Sequence, residues 1–391
     1  MKIKQKLQGI LVQAIKEITD ISLNSKDVAI NIPKKKEHGN FSSNIAMKLS
    51  GRANMNPKEL GENIKKYLMA RTDFIKDIRL MGPGFLNFYL KEESFIKENI
   101  MGVENGDFKN FKLKTKNKIV KVAIVLNKLE DIFRLESLRA FINMYYLGNI
   151  YSFAGFKVRK LVVVKNYDED LNIKYFISNF KDIEIVLNEE ELKDSITLCS
   201  TLDQGIFKGL DDKRFILEDV NIYKNGLKLK DVALSGLLQW IELDRIKYTL
   251  CSKAITSEMD IELTKDKLRY IQYPYSRIMS LINIFKAQGM DIDEVKDFNE
   301  ELLTNPLELE MINKISSFKD TILSTISQNQ PYKLIKYTNE LCDIFYKINS
   351  STLYRKLSKE RLVALLRLFN VFKIVLKEIL DILELPAYEK M

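Results

Sequence analysis

The feature that most constrains this fold is a strand–helix–strand pattern near the middle of the chain. Val120 to Leu126 is an uninterrupted apolar run, which is typical of a strand covered on both faces in a parallel sheet. A helical pattern follows as far as Gly155, and a second apolar run extends from Val158 to Val164. Two parallel strands joined by a helix form a right-handed crossover in nearly all proteins. The pattern therefore predicts a small α/β domain over residues 119–230. Further short strands are predicted at 183–187, 196–200 and 215–222.

The regions on either side of this pattern have different periodicities. Residues 1–100 mix helical spacing with alternation, which predicts a compact α+β domain. Residues 101–118 are rich in Lys, Asn and Gly and are predicted to form a linker. Helical spacing then continues over 231–391, and Pro386 closes the last helix. We therefore expect a multidomain chain that is α+β, then α/β, then an all-α helical bundle.

Local signals refine these regions. The N-terminal region is predicted to begin with a helix that carries apolar residues from Leu7 to Ile18 at helical spacing. Further helices are predicted at 40–51 and 56–70, with a strand at 28–32. Asn56 is followed by proline and then by Glu59, which is the pattern of a capped helix start. Alternating residues around Gly82-Pro83-Gly84 predict a β-hairpin. The stretch from Asp291 to Glu310 holds eight acids and one Lys and is predicted to be a solvated connector.

Composition excludes several classes of protein. Of the 391 residues, 46% are apolar and 29% charged, which is unlike a disordered chain. We find no signal peptide and no apolar run long enough to cross a bilayer, so a cytoplasmic protein without a membrane partner is expected. Cys199, Cys251 and Cys342 are too few and too far apart for a disulfide framework or a zinc site. We therefore predict buried thiols and no metal.

The positive charge is concentrated at the two ends of the chain. The net charge is +9, and residues 1–100 carry 18 Lys and Arg against 11 Asp and Glu. Residues 331–391 carry 11 against 7. An excess of this kind favours an anionic partner such as a nucleic acid. The alternative is that AT-biased coding has raised the lysine content everywhere.

Two segments near the N-terminus, His38 to Ala46 and Gly82 to Phe88, resemble signatures of the arginyl-tRNA synthetase family. His38 to Ala46, preceded by Pro33, is similar to the family pattern "HGDF(S/A)(S/T)N(I/V)A", with Asn40 in place of the usual aspartate. Gly82 to Phe88 is similar to "GPGF(I/L)NF". The resemblance implies the additional N-terminal domain of this family, which grips the D-loop corner of tRNA.

The last third of the chain carries a second set of similarities. Asp244 to Tyr248 stands where the family reads "DALRY", and Leu268 to Ile278 is similar to "VYYVQYAHARI". The chain ends on Ala387 to Met391, close to the family ending "APERM". These segments imply an all-helical anticodon-binding domain over residues 231–391.

The middle of the chain departs from the family pattern. The family has a class I, Rossmann-like nucleotide-binding domain whose first βα turn carries "HVGH", and its histidines stabilise the charge that develops during adenylate formation. Leu138-Arg139 and Gly155 fix the alignment, which places Arg134-Leu135-Glu136-Ser137 at that motif. The chain has one histidine, His38, so "HVGH" cannot occur elsewhere. A remnant of the family's lysine-rich loop is predicted at Lys224 and Gly226.

The middle is also too short for a complete synthetase domain. Segments of the second half-fold that bind arginine and adenosine are expected to be missing, which leaves a reduced Rossmann-like domain. We therefore predict no catalytic residue, no aminoacylation and no cofactor, with ATP bound only if the chain is a ligase. Arg134 and Arg139 are predicted to be solvated or salt-bridged, and Arg134, Glu136, Ser137, Lys224 and Gly226 are interpreted as a degenerate nucleotide site.

The predicted tRNA-binding residues combine bases, amides and aromatics, which suit phosphates and unpaired bases. At the N-terminus they are Lys34, Lys35, Lys36, His38, Asn40, Phe41, Asn44, Phe85 and Asn87. In the C-terminal region they are Gln272, Tyr273, Arg277, Lys333, Lys336, Tyr337, Tyr346, Asn349, Tyr354, Arg355 and Met391. For the lysine run the alternative is a solvated surface. Half of the tyrosines are expected to be core, and Gln272, Tyr273 and Arg277 favour a network that joins domains.

Three functions remain open from the sequence. The first is a tRNA-binding protein without catalysis, whose partner is an arginine-accepting tRNA. The second is an arginine–tRNA ligase with an unusual site, which another chain could complete. The third is a protein-interaction scaffold without an RNA partner, for example one that binds a complete synthetase.

Overall fold

A computed structural model describes most of the chain. The described residues are 2–31, 33, 36–109, 113, 118–168, 170–203, 214–229, 234–292 and 299–391. The chain divides into two compact units, which are discontinuous in sequence. The first comprises Met1–Phe108, Asp293–Ser317 and Tyr354–Val371, and the second comprises Lys109–Ile292, Phe318–Leu353 and Phe372–Met391. The predicted domain boundaries at 100, 118 and 230 stay predictions.

The described residues form helices and strands, each numbered in chain order. The α-helices are α1 (Lys2–Thr19), α2 (Ile45–Ala53), α3 (Pro57–Arg71), α4 (Glu92–Glu104), α5 (Leu135–Phe153), α6 (Leu171–Ser178), α7 (Leu234–Leu238), α8 (Leu243–Leu250), α9 (Lys267–Ala287), α10 (Pro306–Ser316), α11 (Phe318–Gln328), α12 (Tyr332–Ser351) and α13 (Lys359–Ile382). The strands are β1 (Phe41–Ser43), β2 (Ile75–Met81), β3 (Phe85–Leu90), β4 (Ile119–Lys128), β5 (Lys157–Asn166), β6 (Ile183–Val186), β7 (Ile196–Ser200), β8 (Arg214–Leu217), β9 (Val220–Lys224), β10 (Leu227–Leu229) and β11 (Met259–Glu262).

The first unit contains an antiparallel sheet in the order β1-β3-β2. The predicted hairpin is confirmed, because β2 and β3 pair around the Gly82-Pro83-Gly84 turn. The predicted start of α3 is confirmed as well, since the Asn56 side chain accepts a hydrogen bond from the Lys58 amide at 2.9 Å. Helices α1 and α3 pack together, and α3 covers β2.

Three local predictions for the first unit need correction. The predicted strand at 28–32 forms a single bridge between Asn31 and Ser42, because the following Pro33 cannot donate a ladder hydrogen bond. The predicted helix at 40–51 begins only at Ile45, and the residues before it form β1. Residues 293–298 of the predicted acidic connector lie outside the described residues, whereas its end is helical from Pro306, and Glu308 is buried against Arg361.

The second unit is built around a five-stranded sheet in the order β6-β5-β4-β7-β8. All of its pairings are parallel, which confirms the predicted crossover from β4 through α5 to β5. Helix α5 packs on β4, β5 and β7 and covers one face. Strands β7 and β8 extend the sheet beyond β4, so the sheet has strands on both sides of its first strand. The connection from β6 to β7 contains only a short 3-10 turn, Glu189–Leu192.

Two further predictions for this unit were wrong. The strand predicted at 215–222 is divided between β8, in the parallel sheet, and β9, which pairs with β10 and β11. The C-terminal region is not helical throughout, because β11 pairs in parallel with β9. Met259 and Ile261 are buried while Asp260 is exposed, as expected of a strand. An alternation of only four residues cannot be distinguished by sequence from the surrounding helical pattern.

The predicted burial of the thiols is confirmed, since Cys199, Cys251 and Cys342 are free and buried. Burial raises the pKa of the Cys199 thiol to about 12. Among the described residues, none of the helices is long and apolar enough to cross a membrane. The described side chains also contain no group of three or more His, Cys, Asp and Glu residues that could hold a metal ion.

Candidate functional site

In the first βα turn of the parallel sheet, the polar side chains bond to groups of the protein itself. A 3-10 turn, Leu129–Phe133, joins β4 to α5. Asp131 lies in this turn with 3% of its side chain exposed, and it accepts a hydrogen bond from the Lys128 amide at 2.9 Å. The Arg134 guanidinium lies 2.8 Å from the same carboxylate, as the predicted salt bridge requires. Arg134 is therefore held by the turn itself.

Ser137 is also engaged internally. Its hydroxyl is fully buried and donates a hydrogen bond to the Asp203 carboxylate at 2.7 Å. Ser200, at the end of β7, donates to the same carboxylate oxygen at 2.5 Å. The position that aligns with the second histidine of "HVGH" therefore ties α5 to the end of β7.

Glu136 lies in the first turn of α5, where the helix dipole favours a negative charge. In open α/β sheets the same place, at the carboxyl end of the strands, is where phosphates bind. A cleft of about 450 Å³ adjoins it, with Glu130, Glu136, Arg134 and Lys228 among its lining residues. The lining thus carries two carboxylates beside two cations, one of which is Arg134 paired with Asp131. The Glu136 carboxylate lies at the helix start, where it would repel a phosphate.

Lys224 and Gly226 belong to a tight turn. Asn225 and Gly226 connect β9 to β10 with φ of 53° and 77°, the backbone of a two-residue hairpin. The Glu262 carboxylate accepts hydrogen bonds from both amides, at 3.2 and 3.1 Å, and these bonds lower its pKa. The Lys224 ammonium lies over the Trp240 ring. These residues therefore form a hairpin whose amides are already bound to a carboxylate, and their interpretation as a nucleotide-loop remnant stays a prediction.

Arg139 is neither solvated nor salt-bridged, so that prediction was wrong. Its side chain is fully buried on α5. The guanidinium donates to the carbonyls of Glu218 at 2.6 Å, and of Ala254 and Ser257 at 2.8 Å each. Burial lowers the pKa of Arg139. A five-donor planar cation satisfies several carbonyls at once, and the side chain thereby joins the parallel sheet to the β9–β11 sheet.

One face of the N-terminal sheet carries aromatic and basic side chains. Strand alternation puts Phe85, Asn87 and Tyr89 on this face, while Leu86 and Phe88 are buried on the other. Phe85 pairs with Met81 in register, and Asn87 pairs with Arg79. The Arg79 guanidinium lies 4.4 Å from the centre of the Tyr89 ring and 2.9 Å from Asp77. Phe85 and Met81 are 41% and 46% exposed, so the hairpin tip presents an apolar platform.

The remaining predicted residues of this region have mixed placements. Asn87 and Phe41 are 5% and 1% exposed. The Asn40 side chain accepts a hydrogen bond from the Leu90 amide at 2.9 Å, which extends the pairing of β1 with β3. Asn44 is exposed at the start of α2, and His38 lies in a 3-10 turn beside Glu37. We therefore assign Phe41 and Asn40 to the sheet itself. Lys34 and Lys35 lie outside the described residues, and of Lys36 only the backbone is described.

The C-terminal region presents a stack of three tyrosine rings on α9 and α12. The Tyr346 ring lies 4.6 Å from that of Tyr270 and 6.1 Å from that of Tyr273, centre to centre. The Tyr346 hydroxyl donates to the Tyr270 carbonyl at 2.9 Å, and the Tyr270 hydroxyl bonds Asp343. Tyr270 and Tyr273 are 37% and 40% exposed. Tyr270 was absent from the predicted set, although its spacing of three from Tyr273 places both on one helix face.

The other predicted residues of this region differ in burial and in hydrogen bonding. Tyr337 and Gln272 are 3% and 4% exposed, and the Gln272 side chain donates to the Pro386 carbonyl at 2.8 Å. Lys333 donates to Ser324 at 2.8 Å, and Lys336 lies 3.9 Å from Glu340. We therefore place Tyr337 and Gln272 in the core. The partly buried positions are Arg277, Asn349 and Tyr354, and the exposed ones are Arg355 and Met391.

Comparison with known families identifies both ends of the chain. Residues 5–90 match the arginyl tRNA synthetase N terminal domain, and residues 271–391 match the DALR anticodon binding domain. An arginine–tRNA ligase of Ruminiclostridium cellulolyticum is 27% identical over 186 residues. That match covers 44% of this chain and 33% of the relative, so the chain aligns with about a third of that protein.

Other relatives align over nearly their whole length at lower identity. The arginine–tRNA ligase of Caldanaerobacter subterraneus is 20% identical, and the match covers 100% of this chain and 99% of the relative. That alignment runs over 557 residues, against 391 in this chain. Among solved structures, the Thermus thermophilus arginyl-tRNA synthetase matches with a TM-score of 0.67 at 12% identity, covering 99% of this chain and 100% of that one. The matches at both ends and the shared fold together show that this chain belongs to the arginyl-tRNA synthetase family.

Proposed function

We propose that this protein binds a tRNA through its two terminal regions and does not catalyse aminoacylation. The observation that carries the proposal is the first βα turn. There the Glu136 carboxylate lies at the start of α5, where a phosphate would bind, and Ser137 is buried against Asp203. The family's histidines have no substitute there, since the only histidine of the chain is His38.

Binding of RNA is supported by the side chains at both ends. The N-terminal sheet offers Phe85 and Arg79, and the C-terminal helices offer the Tyr270–Tyr346–Tyr273 stack. Aromatic rings stack on unpaired bases, and cations contact phosphates. The relatives' name and the two matched domains favour an arginine-accepting tRNA. The proposed assignment puts the D-loop corner on the sheet and the anticodon loop on the tyrosines.

The proposal is tested by measuring binding and chemistry on the same preparation. A gel-shift titration with an arginine-accepting tRNA is expected to give saturable binding that weakens steeply as salt increases. Binding releases cations that are condensed on the phosphates, and this release becomes less favourable as the salt concentration rises. ATP–pyrophosphate exchange with arginine and this tRNA present is expected to stay at background. RNA sequenced after a pull-down from the protein's own cell extract then identifies the bound species.

The alternatives give different results in these assays. Arginine-dependent exchange would establish a working ligase, a candidate favoured by the name that the relatives carry. A second chain that completes the site is tested by repeating the exchange in extract fractions. Flat tRNA titrations at low salt would instead favour a protein-interaction scaffold.

Arg79 is predicted to contribute to tRNA binding. Replacing it with glutamine is expected to weaken the complex by about threefold to tenfold, since one charge-assisted contact held on an aromatic ring contributes on the order of 1 kcal/mol. The Arg79→Gln variant should also reduce the salt dependence by about one phosphate contact. Arg71→Gln is the matched control, because the Arg71 guanidinium also lies over a tyrosine ring, 4.0 Å from the centre of Tyr67, but on α3 and not on a sheet strand. Equal losses in both variants would contradict a specific role for Arg79.

A further inference from the structure

The chain's single tryptophan lies half exposed beside hairpin β9–β10. Trp240 is 47% exposed. The Lys224 ammonium lies 4.8 Å from the centre of its ring. Leu227, which pairs directly with Lys224 across the hairpin, is 72% exposed. We call these three side chains the Trp240 platform.

The platform is held in position from two directions. On the hairpin side, the Asn225–Gly226 turn is bound by Glu262, so the end of β9 that carries Lys224 is anchored to β11. On the helix side, the Trp240 amide donates to the Leu237 carbonyl at 2.9 Å, at the end of α7. A rigid site loses less conformational entropy on binding than a mobile one.

The chemistry of the platform favours a nucleotide over a protein. An exposed indole next to a cation matches the combination that binds unpaired nucleotides, in which the base stacks on the ring and the ammonium contacts the adjoining phosphate. The two exposed apolar side chains are too few for the core of a stable protein interface, which takes about twenty residues or more on each side. The alternation of β9 also puts Lys224 on the same face as the buried Ile222, so the ammonium lies at the open end of an apolar face.

We propose that the Trp240 platform binds an unpaired nucleotide of an RNA, through side chains other than those of the N-terminal sheet and the tyrosine stack. The choice of RNA as ligand rests on the proposed function, whereas the site itself rests on the geometry of Trp240 and Lys224. A nucleotide bound there would lie on the second unit, on the hairpin next to the parallel sheet.

Tryptophan fluorescence of the full-length protein tests the site directly, because Trp240 is the only emitter of its kind. The probe is a single-stranded oligoadenylate of about eight nucleotides, a length within the usual site size for such contacts. Its duplex with oligouridylate, measured below the melting temperature of the duplex, is the control, because all bases except the terminal ones are then stacked within the duplex and cannot cover the ring. We expect the single strand to quench Trp240 emission and the duplex to leave it unchanged. An unchanged emission at saturating single strand would overturn the proposal.

Variants separate stacking from loss of fold. With a labelled oligomer read by anisotropy, Trp240→Leu is expected to weaken binding about fivefold or more, since stacking contributes roughly 1–3 kcal/mol per base. Trp240→Phe should keep most of the affinity, and Lys224→Met should lower the salt dependence. Tyr175→Leu is the matched control, because that ring is 75% exposed on α6 in the same unit. Equal effects of Trp240→Leu and Tyr175→Leu would contradict the site.

The same experiments distinguish this inference from the proposed function. If tRNA shifts on a gel while Trp240 emission and the Trp240→Leu affinity for tRNA are unchanged, the platform is not a nucleotide site and tRNA binding stands. If the oligomer quenches Trp240 while tRNA gives no shift, the platform is a nucleotide site and the tRNA proposal fails. Intact tRNA, compared with tRNA that lacks its unpaired 3′ nucleotides, shows whether that end occupies the platform.

Discussion

Replacing Tyr346 with alanine is expected to weaken binding of an arginine-accepting tRNA by about fivefold to a hundredfold. Tyr346 is the middle ring of the stack, 4.6 Å from Tyr270 and 6.1 Å from Tyr273. Its removal therefore withdraws support from both exposed neighbours as well as its own ring. Stacking of a single base on an aromatic side chain contributes roughly 1–3 kcal/mol, which corresponds to this range. The measurement is a gel-shift or filter-binding titration at fixed moderate salt.

Two control variants make the Tyr346 result specific. Tyr346→Phe keeps the ring but removes the hydroxyl that bonds the Tyr270 carbonyl, and it should retain most of the affinity. Tyr175→Ala removes an exposed aromatic ring from α6, outside the matched anticodon-binding domain, and should bind as the parent does. If Tyr346→Ala bound the tRNA as tightly as the wild type does, the tyrosine stack would be excluded as the anticodon contact.

The structure explains which features could be predicted from sequence. Strands such as β4 and β5 and helices such as α3 were predictable because local signals, a continuous apolar run or a capped start, agree with the tertiary environment. Strand β11 and the division of residues 214–224 between two sheets were not predictable. Four-residue strands carry too little periodicity, and their partners are distant in sequence.

The candidate site was predictable in its residue types and not in its contacts. The alignment at the first βα turn identified Glu136 and Ser137 from a resemblance, but no sequence signal links Ser137 to Asp203, which is 66 residues away. Phe41 and Tyr337 were included among the RNA contacts because aromatic residues serve both cores and RNA surfaces, and only burial separates the two roles. Tyr270 belongs to the stack because α9 and α12 pack side by side, which the sequence of either helix alone does not indicate.

The loss of the family's histidines has a structural counterpart in the second unit. A nucleotide-binding turn needs amides that are free to bind phosphate and no carboxylate beside them. In this chain the polar groups bond to one another instead: Arg134 pairs with Asp131, Ser137 donates to Asp203, and the hairpin amides donate to Glu262. These contacts stabilise the unit without a ligand. A domain that holds its shape without a ligand is expected to satisfy its buried polar groups in this way.

Arg139 is the residue whose removal is expected to cost the second unit the most. Its guanidinium is fully buried and satisfies three carbonyls that lie on two different segments, after β8 and before β11. Arg139→Met fills similar space but leaves those carbonyls without their donor. Since each buried unsatisfied group costs about 1–3 kcal/mol, we expect the free energy of unfolding to fall by roughly 3–5 kcal/mol. Urea unfolding followed by circular dichroism measures the change.

Arg269→Met is the matched control for Arg139→Met, because Arg269 is exposed on α9 in the same unit and a surface substitution changes stability by about 0.5 kcal/mol or less. Arg139→Lys should fall between the two, since one ammonium cannot reach three carbonyls with the geometry of a planar guanidinium. A buried charge is often less stabilising than a well-packed apolar side chain. If the free energy of unfolding of Arg139→Met equalled or exceeded that of the wild type, the same would be true of Arg139. In that case the carbonyls of Glu218, Ala254 and Ser257 would have found water or new donors, and Arg139 would no longer account for the junction between the two sheets.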